Sequence, residues 1–483
     1  MADLTNLQSY LEGVFAPVDD EMTQSSLTVI GEIPSEMDGM FVQNNPNPFF
    51  EPPGAYHWFD GDGMVHGLQI RDGAATYRNR YIKTEGLAHE QAQGGPVWHG
   101  LLNPIDGSLP GGPDKNTANT DLVWHGDKLL ALWWLGGEPY ALNVPDLSTQ
   151  GIENFGGQLP CGIAAHSKVD ERTGELIFFD YSAYNAPYLQ YGVVSHQGEV
   201  KHHTVIDVPG PRFFHDIAFT GDYTVFLDLP MSWDLDAVAH GRRKITFDPE
   251  MTGRIGILRR YAGGESIRWF EVSSCYVYHM INAWEQVNTK GEAEIVVTGC
   301  RIENPLPSKS HHLEPEIPRL YFLRMDPYLY RWTLNLETGA VKEEKLDDVR
   351  TEFPRMNDQW TGRKNRYGYS QRLAREATLL FDGVIKYDLD TGVGTHHTYG
   401  DGCVAGETVF VPRPTAKTED DGWLTTFVTD RRAARSELHI IDAQTMITQA
   451  RVVMPRRVPV GFHAHWVPGK GIPREEGAKT HEL

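Results

Sequence analysis

The sequence predicts an all-β fold of the propeller type. Short β-rich runs broken by turn residues, such as "GELIFFDY", "YTVFLDL" and "GWLTTFVTD", follow one another along most of the chain. An apolar strand that reaches a small polar residue, turns and re-enters a strand also recurs, at spacings of 52, 140, 53 and 54 residues. A period of about 53 residues is typical of one four-stranded propeller blade. The residues that mark this repeat are Asn143, Ser195, Asn335, Asp388 and Asp442.

The chain is expected to form a single domain over residues 1–483. The gap of 140 residues in the repeat has room for two or three blades enlarged by insertions. No linker, charge block or low-complexity stretch divides the chain, and its 40% of hydrophobic residues can build a large core. A closed propeller also removes the exposed sheet edges that a chain so rich in strands must otherwise protect.

Charge and cysteine usage restrict the partners and the compartment. The formal net charge of −21 repels nucleic acid and anionic membrane surfaces, so neither is expected as a main partner. The four cysteines include no CxxC pair, which argues against a disulfide framework and favours a reducing cytoplasm. The N-terminus lacks the pattern of a signal peptide, and no run of apolar residues is long enough to span a membrane.

The start of the chain carries the only helical pattern that the sequence suggests. Apolar residues recur there at helical spacing, which predicts one short amphipathic helix packed on the body of the protein. Contact with a membrane surface is the minority interpretation, so at most peripheral membrane contact is expected. The residues of this pattern are Leu4, Leu7, Leu11, Val14 and Phe15.

Twenty histidines are a large supply, and most of them need no special role. The string "HGD" at 125–127 matches an element of iron sites, but its place between two apolar runs favours a hairpin turn. Four other histidine segments lie in apolar or aromatic stretches, where a neutral imidazole needs a partner. One such histidine from each of four blades would meet at the propeller axis, which suggests an all-imidazole site for Fe, Zn, Cu or Ni. The segments are "CGIAAHSKVD" (His166), "RFFHDIAFT" (His215), "VYHMINAWEQ" (His279) and "VGFHAHWV" (His463 and His465).

The last of these segments leaves two candidates open. On a strand, His463 and His465 point the same way, and two imidazoles at this spacing can share one metal. Geometry alone therefore does not choose between them.

The chain resembles the carotenoid cleavage oxygenase family. The matching segments run nearly from end to end and include "FVQNNPNP", "YHWFDGDGMVHG", "AHSKVD", "HDIAFT", "HMINAWE", "EFPR", "GETVFVPRP" and "GFHAHW". The resemblance implies a seven-bladed propeller with a small helical and loop cap over an axial Fe(II). By the family pattern the iron ligands are His166, His215, His279 and His463, with His465 beside the pocket or packed on neighbouring aromatic residues. The same pattern places Glu352 and Glu407 as carboxylates that hold the ligands' other ring nitrogens.

One segment departs from the family pattern. Many members carry a further glutamate in a stretch like "LWEGG", where it orients the second histidine. Here the stretch reads "ALWWLGGEPYAL", with Trp134 and Leu135 at that place and Glu138 three residues on as the candidate substitute. The support of His215 is therefore an open question.

The resemblance also bears on the substrate. Relatives that cleave phenolic stilbenes hold the phenol with a tyrosine and a lysine, and no lysine stands between Leu129 and Tyr140. A carotenoid or apocarotenoid is therefore favoured over a stilbene or phenylpropenoid. Such a polyene needs an apolar tunnel, and aromatic residues near the motifs are candidates to line it, although aromatic filling between sheets explains any one of them equally well. The candidates are Phe59, Trp134, Phe213, Phe214, Trp233, Trp284, Phe462 and Trp466.

These expectations define a function. We expect a non-haem Fe(II) dioxygenase that takes a lipophilic polyene or aromatic alkene and O2 and forms two carbonyl products, with no protein acid or base beyond the metal ligands. Two other classes stay open: a zinc hydrolase on the same histidines and a non-catalytic propeller scaffold. Metal content distinguishes the three.

Overall fold

The computed structural model describes residues 10–306 and 317–473. Within these ranges strands dominate, which confirms the prediction of a mainly β fold. The two α-helices are short and are α1 (Glu85–Gln93) and α2 (Leu235–Ala239). Single 3-10 turns occupy Gly13–Phe15, Trp58–Asp60, Gly264–Ser266, Asp358–Trp360 and Gly469–Gly471.

Strands succeed one another along the whole of the described chain. The first half holds β1 (Met22–Gln24), β2 (Val29–Gly31), β3 (Gly39–Pro46), β4 (Gly63–Arg71), β5 (Ala74–Tyr81), β6 (Asp121–His125), β7 (Lys128–Leu132), β8 (Tyr140–Leu142), β9 (Thr149–Ile152), β10 (Lys168–Asp170), β11 (Glu175–Tyr181), β12 (Leu189–Val194), β13 (Val200–Val205), β14 (Ala218–Phe219), β15 (Tyr223–Asp228), β16 (Met231–Trp233) and β17 (Ile245–Phe247). The second half holds β18 (Gly253–Arg259), β19 (Arg268–Val272), β20 (Tyr276–Val287), β21 (Ala293–Ile302), β22 (Arg319–Leu320), β23 (Leu323–Arg324), β24 (Tyr328–Asn335), β25 (Val341–Arg355), β26 (Tyr367–Leu373), β27 (Phe381–Asp388), β28 (Val393–Thr398), β29 (Cys403–Ala405), β30 (Val409–Pro412), β31 (Gly422–Asp430), β32 (Arg435–Asp442), β33 (Ile447–Val453) and β34 (Ala464–Pro468).

Antiparallel four-stranded sheets are the recurring unit. Strands β6 to β9 form one, β10 to β13 a second, and β14, β15, β18 and β19 a third. From β20 to β33 the sheets are joined, because the long strand β25 pairs with β24 through its first part and with β26 through its last part; β22 and β23 form a separate hairpin. Most pairs within these sheets are hairpins of sequence-adjacent strands, which short turns allow, whereas pairs such as β15–β18 and β21–β24 skip intervening strands.

Strands from both ends of the chain share one further sheet. Its order is β1-β5-β4-β3-β34, so the last strand pairs with one of the first. Phe41 of β3 lies opposite Trp466 of β34, and Gln43 lies opposite Ala464. The pairing β2–β33 adds a second link between the N-terminal and C-terminal segments. The two ends of the described chain are therefore held together by backbone hydrogen bonds.

The turn chemistry explains where the strands end. The "HGD" string closes the hairpin β6–β7: Gly126 and Asp127 both have positive φ, as a tight hairpin turn requires, and His125 pairs with Lys128. The prediction of a turn there is confirmed. The marker residues of the repeat end the strands β8, β12, β24, β27 and β32, each of which leads through a hairpin into the next strand. In the last three hairpins the marker's side-chain oxygen accepts backbone N–H groups of the turn, for example from Thr338 to Asn335.

The core lies between neighbouring sheets. Phe41 of β3 packs edge to face on Phe427 of β31, with ring centroids 5.0 Å apart, and both lie in a buried cluster that joins the two sheets. Alternation along each strand sends every second side chain into such a layer. These shared apolar layers hold neighbouring sheets face to face.

The N-terminal helix prediction falls partly outside the described residues, where Leu4 and Leu7 lie. Val14 and Phe15 sit in a 3-10 turn rather than an amphipathic helix, and both are buried, with Phe15 packing edge to face on Trp58 at 5.2 Å. Among the described residues no helix is long and apolar enough to cross a membrane.

Candidate metal centre

Four histidines come together from four different sheets. His279 lies in β20, while His166, His215 and His463 lie in the segments that lead into β10, β14 and β34. Each of these strands is the terminal strand of its sheet or of its part of the joined sheet. The terminal strands converge, and their histidines therefore meet.

The four imidazoles form a compact, buried cluster. The ring of His166 lies 4.7 Å from His215, 4.8 Å from His279 and 4.4 Å from His463, measured between centroids. His279 lies 5.0 Å from His215 and 4.8 Å from His463. All four side chains are buried, and ligand nitrogens of His166, His279 and His463 lie within 4.8 Å of one another. This spacing suits a shared metal ion.

Two buried glutamates hold two of the rings. Glu352 accepts a hydrogen bond from Nδ1 of His279 at 2.5 Å, and Glu407 accepts one from Nδ1 of His463 at 3.1 Å. Glu407 also accepts the backbone N–H of Ala464 at 2.7 Å, which fixes the start of β34. These bonds place the N–H on Nδ1 and leave Nε2 as the lone-pair nitrogen, the state in which an imidazole binds a metal.

Two further ring nitrogens of the cluster have no hydrogen-bond partner within the described residues. They are Nε2 of His166 and Nε2 of His279, and both are buried. An unpaired buried nitrogen is costly unless something absent from the polypeptide completes it. A metal ion fits this requirement, because it accepts the lone pairs of neutral imidazoles.

His215 lacks the carboxylate that the other two rings have. Its Nδ1 is buried and has no partner within the described part of the chain. Glu138, the candidate substitute, is exposed to solvent, and its backbone carbonyl accepts a hydrogen bond from Asn116. Glu138 is thus a surface residue, and the prediction that it substitutes for the missing glutamate is corrected. His215 is held by packing instead: the ring of Tyr278 meets it edge to face at 5.1 Å.

His166 is fixed through its backbone. It adopts a left-handed φ of 66°, which is uncommon for a residue with a side chain, and its N–H donates to Asp121 at 2.9 Å. The Nδ1 atom lies 3.7 Å from the same carboxylate, too far for a hydrogen bond. The left-handed backbone conformation therefore sets the orientation of the His166 ring, and the hydrogen bond to Asp121 stabilises that conformation.

Sequence reasoning missed a partly buried ion pair that fastens the histidine segments together. Nζ of Lys168 donates to Asp216 at 2.5 Å, and the other carboxylate oxygen of Asp216 accepts the N–H of Met280 at 2.7 Å. Each of these residues stands one or two positions after a histidine of the cluster. The strings "AHSKVD" and "HDIAFT" carry the signal, since a lysine and an aspartate follow the histidines at short offsets.

Burial keeps the imidazoles neutral. Desolvation, together with the neighbouring His463, lowers the pKa of His279 to about 3, and desolvation lowers the pKa of His463 to about 4. The pKa values of His166 and His215 also lie well below the ordinary value, for the same reasons. Near neutral pH all four rings are therefore uncharged, as metal ligands must be.

The structure separates the two histidines of the HxH motif. Only His463 has ring contacts with the rest of the cluster among the described residues. His465 is half-buried on β34 and lines a polar cavity of about 110 Å³ that also touches His166, His279 and His463. The charged residues in this lining include Lys168, Glu171, Arg355 and Asp358.

A larger, apolar cavity of about 350 Å³ lies beside His215. Tyr278 and Phe213 line it, and their rings lie 5.1 and 6.3 Å from that of His215. Sequence reasoning missed Tyr278, although it directly precedes His279. The predicted tunnel residues that line this cavity are Phe59, Trp134, Phe213 and Trp233.

The other predicted tunnel residues lie elsewhere. Phe214 packs in the apolar layer with Tyr181, at 6.2 Å between ring centroids. Trp284 donates its indole N–H to Gln286 on β20. Phe462 packs on Trp58 at 4.3 Å and so supports the wall from behind, and Trp466 packs against the layer between β3 and β31. The structure therefore corrects the predicted role of these four residues: they fill space between strands and sheets and do not line the apolar cavity.

Comparison with known proteins agrees with this geometry. A family model described as retinal pigment epithelial membrane protein, RPE65, matches residues 15–468. The chain belongs to this family, the carotenoid cleavage oxygenases. The predicted family is therefore confirmed. Carotenoid 9,10(9',10')-cleavage dioxygenase 1 of Arabidopsis thaliana is 38% identical to this chain over 500 residues, which cover 95% of this chain and 89% of the relative.

Solved structures of the family share the fold. A variant of the Synechocystis apocarotenoid oxygenase superposes with a TM-score of 0.82 at 26% identity and covers 94% of this chain and 97% of its own. The lignostilbene dioxygenase of Pseudomonas brassicacearum superposes with a TM-score of 0.86 at 27% identity, over 96% and 99% of the two chains. The family thus includes one neighbour named for apocarotenoids and one named for a stilbene.

Proposed function

We propose that this protein is a non-haem Fe(II) dioxygenase that cleaves a conjugated C=C bond of a carotenoid or apocarotenoid into two carbonyl products. The predicted enzyme class agrees with the names of its relatives. The observation that carries the proposal is the buried four-imidazole cluster, which lies next to an apolar cavity because the wall residues Phe213 and Tyr278 both contact His215. Both atoms of O2 enter the products, one in each carbonyl, so the reaction needs no external reductant.

The fold in this proposal is a single-domain, seven-bladed propeller over residues 1–483. The four-stranded antiparallel sheets, the joined sheet from β20 to β33 and the sheet that contains both chain ends support it. A helical and loop cap fits α1, α2 and the loops around them. In such a ring of blades each histidine comes from an innermost strand.

The proposed iron ligands are His166, His215, His279 and His463, and the residues present fit that role. The neutral rings, the unpaired Nε2 atoms of His166 and His279, and the glutamate hydrogen bonds to His279 and His463 support such a site. When bound, Fe(II) supplies the activation of dioxygen, which no side chain can perform.

The polypeptide's own contribution is orientation and exclusion of water. Glu352 and Glu407 fix the tautomer and tilt of two rings. Aromatic walls from Phe59, Trp134 and Phe213 enclose an elongated apolar substrate beside His215. A dry, preformed pocket favours a conjugated hydrocarbon segment and keeps solvent from the reacting bond.

A carotenoid or apocarotenoid is favoured over a phenolic stilbene. The lining of the apolar cavity contains no lysine among the described residues; of its two arginines, Arg242 is exposed to solvent and the buried Arg243 already pairs with Asp114 at 2.6 Å. A phenolate therefore has no free buried counter-charge. Cleavage of a stilbene or phenylpropenoid by the same site is the second candidate, because the lignostilbene dioxygenase is a close structural neighbour.

Aerobic incubation with carotenoids, apocarotenoids and stilbenes tests the proposal, with carbonyl products identified by mass and metal content measured in the same sample. Iron and aldehydes from polyenes are expected, at higher rates than from 4-hydroxystilbenes. Zinc with hydrolytic activity, or a metal-free protein without products, would instead support the hydrolase or the scaffold. A cytoplasmic location and peripheral membrane contact stay predictions.

A further inference from the structure

Two of the segments that carry cluster histidines lack regular backbone pairing. Residues 214–217 form no backbone–backbone hydrogen bond with the described part of the chain, so the segment around His215 lies outside every sheet ladder. In the pair β20–β21 the register shifts between Val277 and Met280, which interrupts the ladder at His279. A buried backbone group that leaves a ladder needs another partner. The positions of these two histidines therefore depend on contacts other than strand pairing.

The carboxylate of Asp216 makes such contacts in both segments. One of its oxygens accepts the N–H of Ile217 at 2.8 Å and a hydrogen bond from Nζ of Lys168 at 2.5 Å. The other oxygen accepts the N–H of Met280 at 2.7 Å, and the side chain of Asp216 is only 1% exposed. Three donors thus meet on two buried oxygens. They come from the segments that contain His166, His215 and His279.

The ring of His215 has no carboxylate of its own. Glu352 and Glu407 each accept a hydrogen bond from a ring of the cluster, whereas Nδ1 of His215 has no partner among the described residues. A ring without such a bond takes its position from the packing around it and from the backbone that carries it. Asp216 is the next residue in the chain and fixes that backbone. Its hydrogen bonds therefore act on His215 from the main-chain side.

We infer that Asp216 is a positioning residue of the metal centre and that, together with Lys168, it performs through the backbone the task that a glutamate at the ring of His215 would have. The inference rests on the proposed function, since it concerns the ligands of the same metal. Lys168 supplies the counter-charge that a buried carboxylate requires. Because the pair ties His215 to the segments of His166 and His279, it should set the distances between three of the four ligand nitrogens.

Asp216→Asn tests this role with little change in shape. The amide offers one acceptor oxygen in place of two, so at least one of the three donors loses its partner. Metal-depleted protein is titrated with Co(II), whose visible absorption reports the geometry of its ligands, and with Fe(II) under anaerobic conditions. The dissociation constant of both metals should rise about 10- to 100-fold, and the Co(II) spectrum at saturation should differ from that of the wild-type protein.

Asp420→Asn is the matched control. Its carboxylate pairs with Nζ of Lys386 at 2.6 Å, both side chains are largely buried, and neither residue lines the polar cavity beside the cluster. Thermal unfolding of the metal-depleted proteins measures the stability that each substitution removes. Both variants should melt at a lower temperature than the wild-type protein, but only Asp216→Asn should change the metal affinity and the Co(II) spectrum.

Lys168 provides an independent pair of variants. Lys168→Met leaves the carboxylate of Asp216 buried without a counter-charge, so the metal affinity should fall as it does in Asp216→Asn. Lys168→Arg keeps the positive charge and should retain most of the affinity. This pair also decides the question if Asp216→Asn does not fold.

The outcomes are distinguishable from failure of the proposed function. Unchanged affinity and an unchanged Co(II) spectrum in Asp216→Asn, or in Lys168→Met if the first variant does not fold, would overturn the inference even if the iron-loaded enzyme cleaves polyenes. Equal losses of affinity in Asp420→Asn would overturn it as well, because a general loss of stability would then explain them. Metal binding that depends on Asp216 in a protein that forms no aldehyde would support the inference and refute the dioxygenase.

Discussion

Glu352 shows how one buried side chain can direct a ring. It is fully buried, and one of its oxygens accepts both Nδ1–H of His279 and the backbone N–H of Phe353. Burial raises the pKa of Glu352 well above its ordinary value. Burial of this carboxyl group costs free energy, and its function is to orient the imidazole of His279. A carboxylate hydrogen-bonded to a metal-binding histidine usually has this role.

Loss of either glutamate should weaken metal binding and leave the fold intact. Glu352→Ala or Glu407→Ala frees the ring it holds, so iron retention or activity is expected to fall about 10- to 100-fold. Metal analysis after gel filtration and initial rates measure the effect.

Glu437→Ala is the control, since it removes a buried carboxylate that pairs with Arg435, His439 and Arg451 and not with a histidine of the cluster. Full iron content and full rate in both test variants would show that these glutamates have another role.

The two histidines of the HxH motif should behave differently. His463→Ala removes a ring of the cluster and is expected to abolish iron binding and activity. His465→Ala removes a ring that lines the polar cavity, so iron should stay bound and activity should fall only in part. Metal content of the two purified variants decides the assignment. If only the His465→Ala variant lost its iron, His465 and not His463 would be the metal ligand.

Some site residues are readable from the sequence and others are not. The histidines stand in apolar segments where a solvated role is improbable, and Phe213 and Phe214 are adjacent, so only one of them can face the cavity. The sequence does not say which one, because that depends on the register of the segment. The Lys168–Asp216 pair joins distant segments, and no local pattern shows that they meet.

At the scale of elements, the segment before β34 is pressed against β3. The N–H of Asn44 donates to the carbonyl of His463, and the N–H of Phe462 donates to the carbonyl of Asn44, both at 2.9 Å. The amide of Asn45 donates to the carbonyl of Pro459 at 2.6 Å. This ladder sets the position of His463 before the strand itself begins.

Gly461 should be sensitive to the smallest side chain. A Cβ at this position would lie 2.4 Å from Cγ of Asn45 and 2.6 Å from the carbonyl oxygen of Asn44. Gly461→Ala should therefore displace the segment, lower metal content and destabilise the fold by about 1–3 kcal/mol, as overpacking does. Thermal denaturation and metal analysis report both effects.

Gly107→Ala is the matched control, because nothing lies within 4 Å of a Cβ there. A normal metal content in Gly461→Ala would mean that the segment adapts without moving His463.

The sequence predicts secondary structure correctly where the residues of a turn themselves determine its conformation. The hairpin at Gly126 and the turns after Asn335 and Asp388 follow from residues that favour turns. The fusion of sheets through β25 was not foreseeable, since one long strand serves two neighbours only in the folded context. The segment around Val14 has the spacing of a helix, but packing on Trp58 gives it a different conformation.

At the scale of the whole molecule, the histidine cluster brings together four sheets, which apolar layers and the contacts of Asp216 with Lys168 and Met280 also link. A metal bound there stabilises only the folded chain. At a free metal concentration of 100 times Kd this amounts to about 2.7 kcal/mol. Chelation should therefore lower the melting temperature reversibly, as measured by scanning calorimetry with and without added Fe(II) under anaerobic conditions.

His463→Ala supplies the comparison for this experiment. The variant should melt at the same temperature with and without chelator. An equal chelator effect in the variant would assign the metal's stabilisation to another place in the molecule.

The pairing of β34 with β3 also has a consequence for biosynthesis. His166, His215 and His279 are made early, whereas His463 follows only after the strands β21 to β33 have been synthesised. A nascent chain therefore carries three of the four rings for much of its translation, and the sheet that positions the fourth cannot form until the segment around β34 leaves the ribosome. Acquisition of the proposed metal in its final coordination is consequently a late event, and a prematurely terminated chain lacks both the fourth nitrogen and the strand that joins its ends.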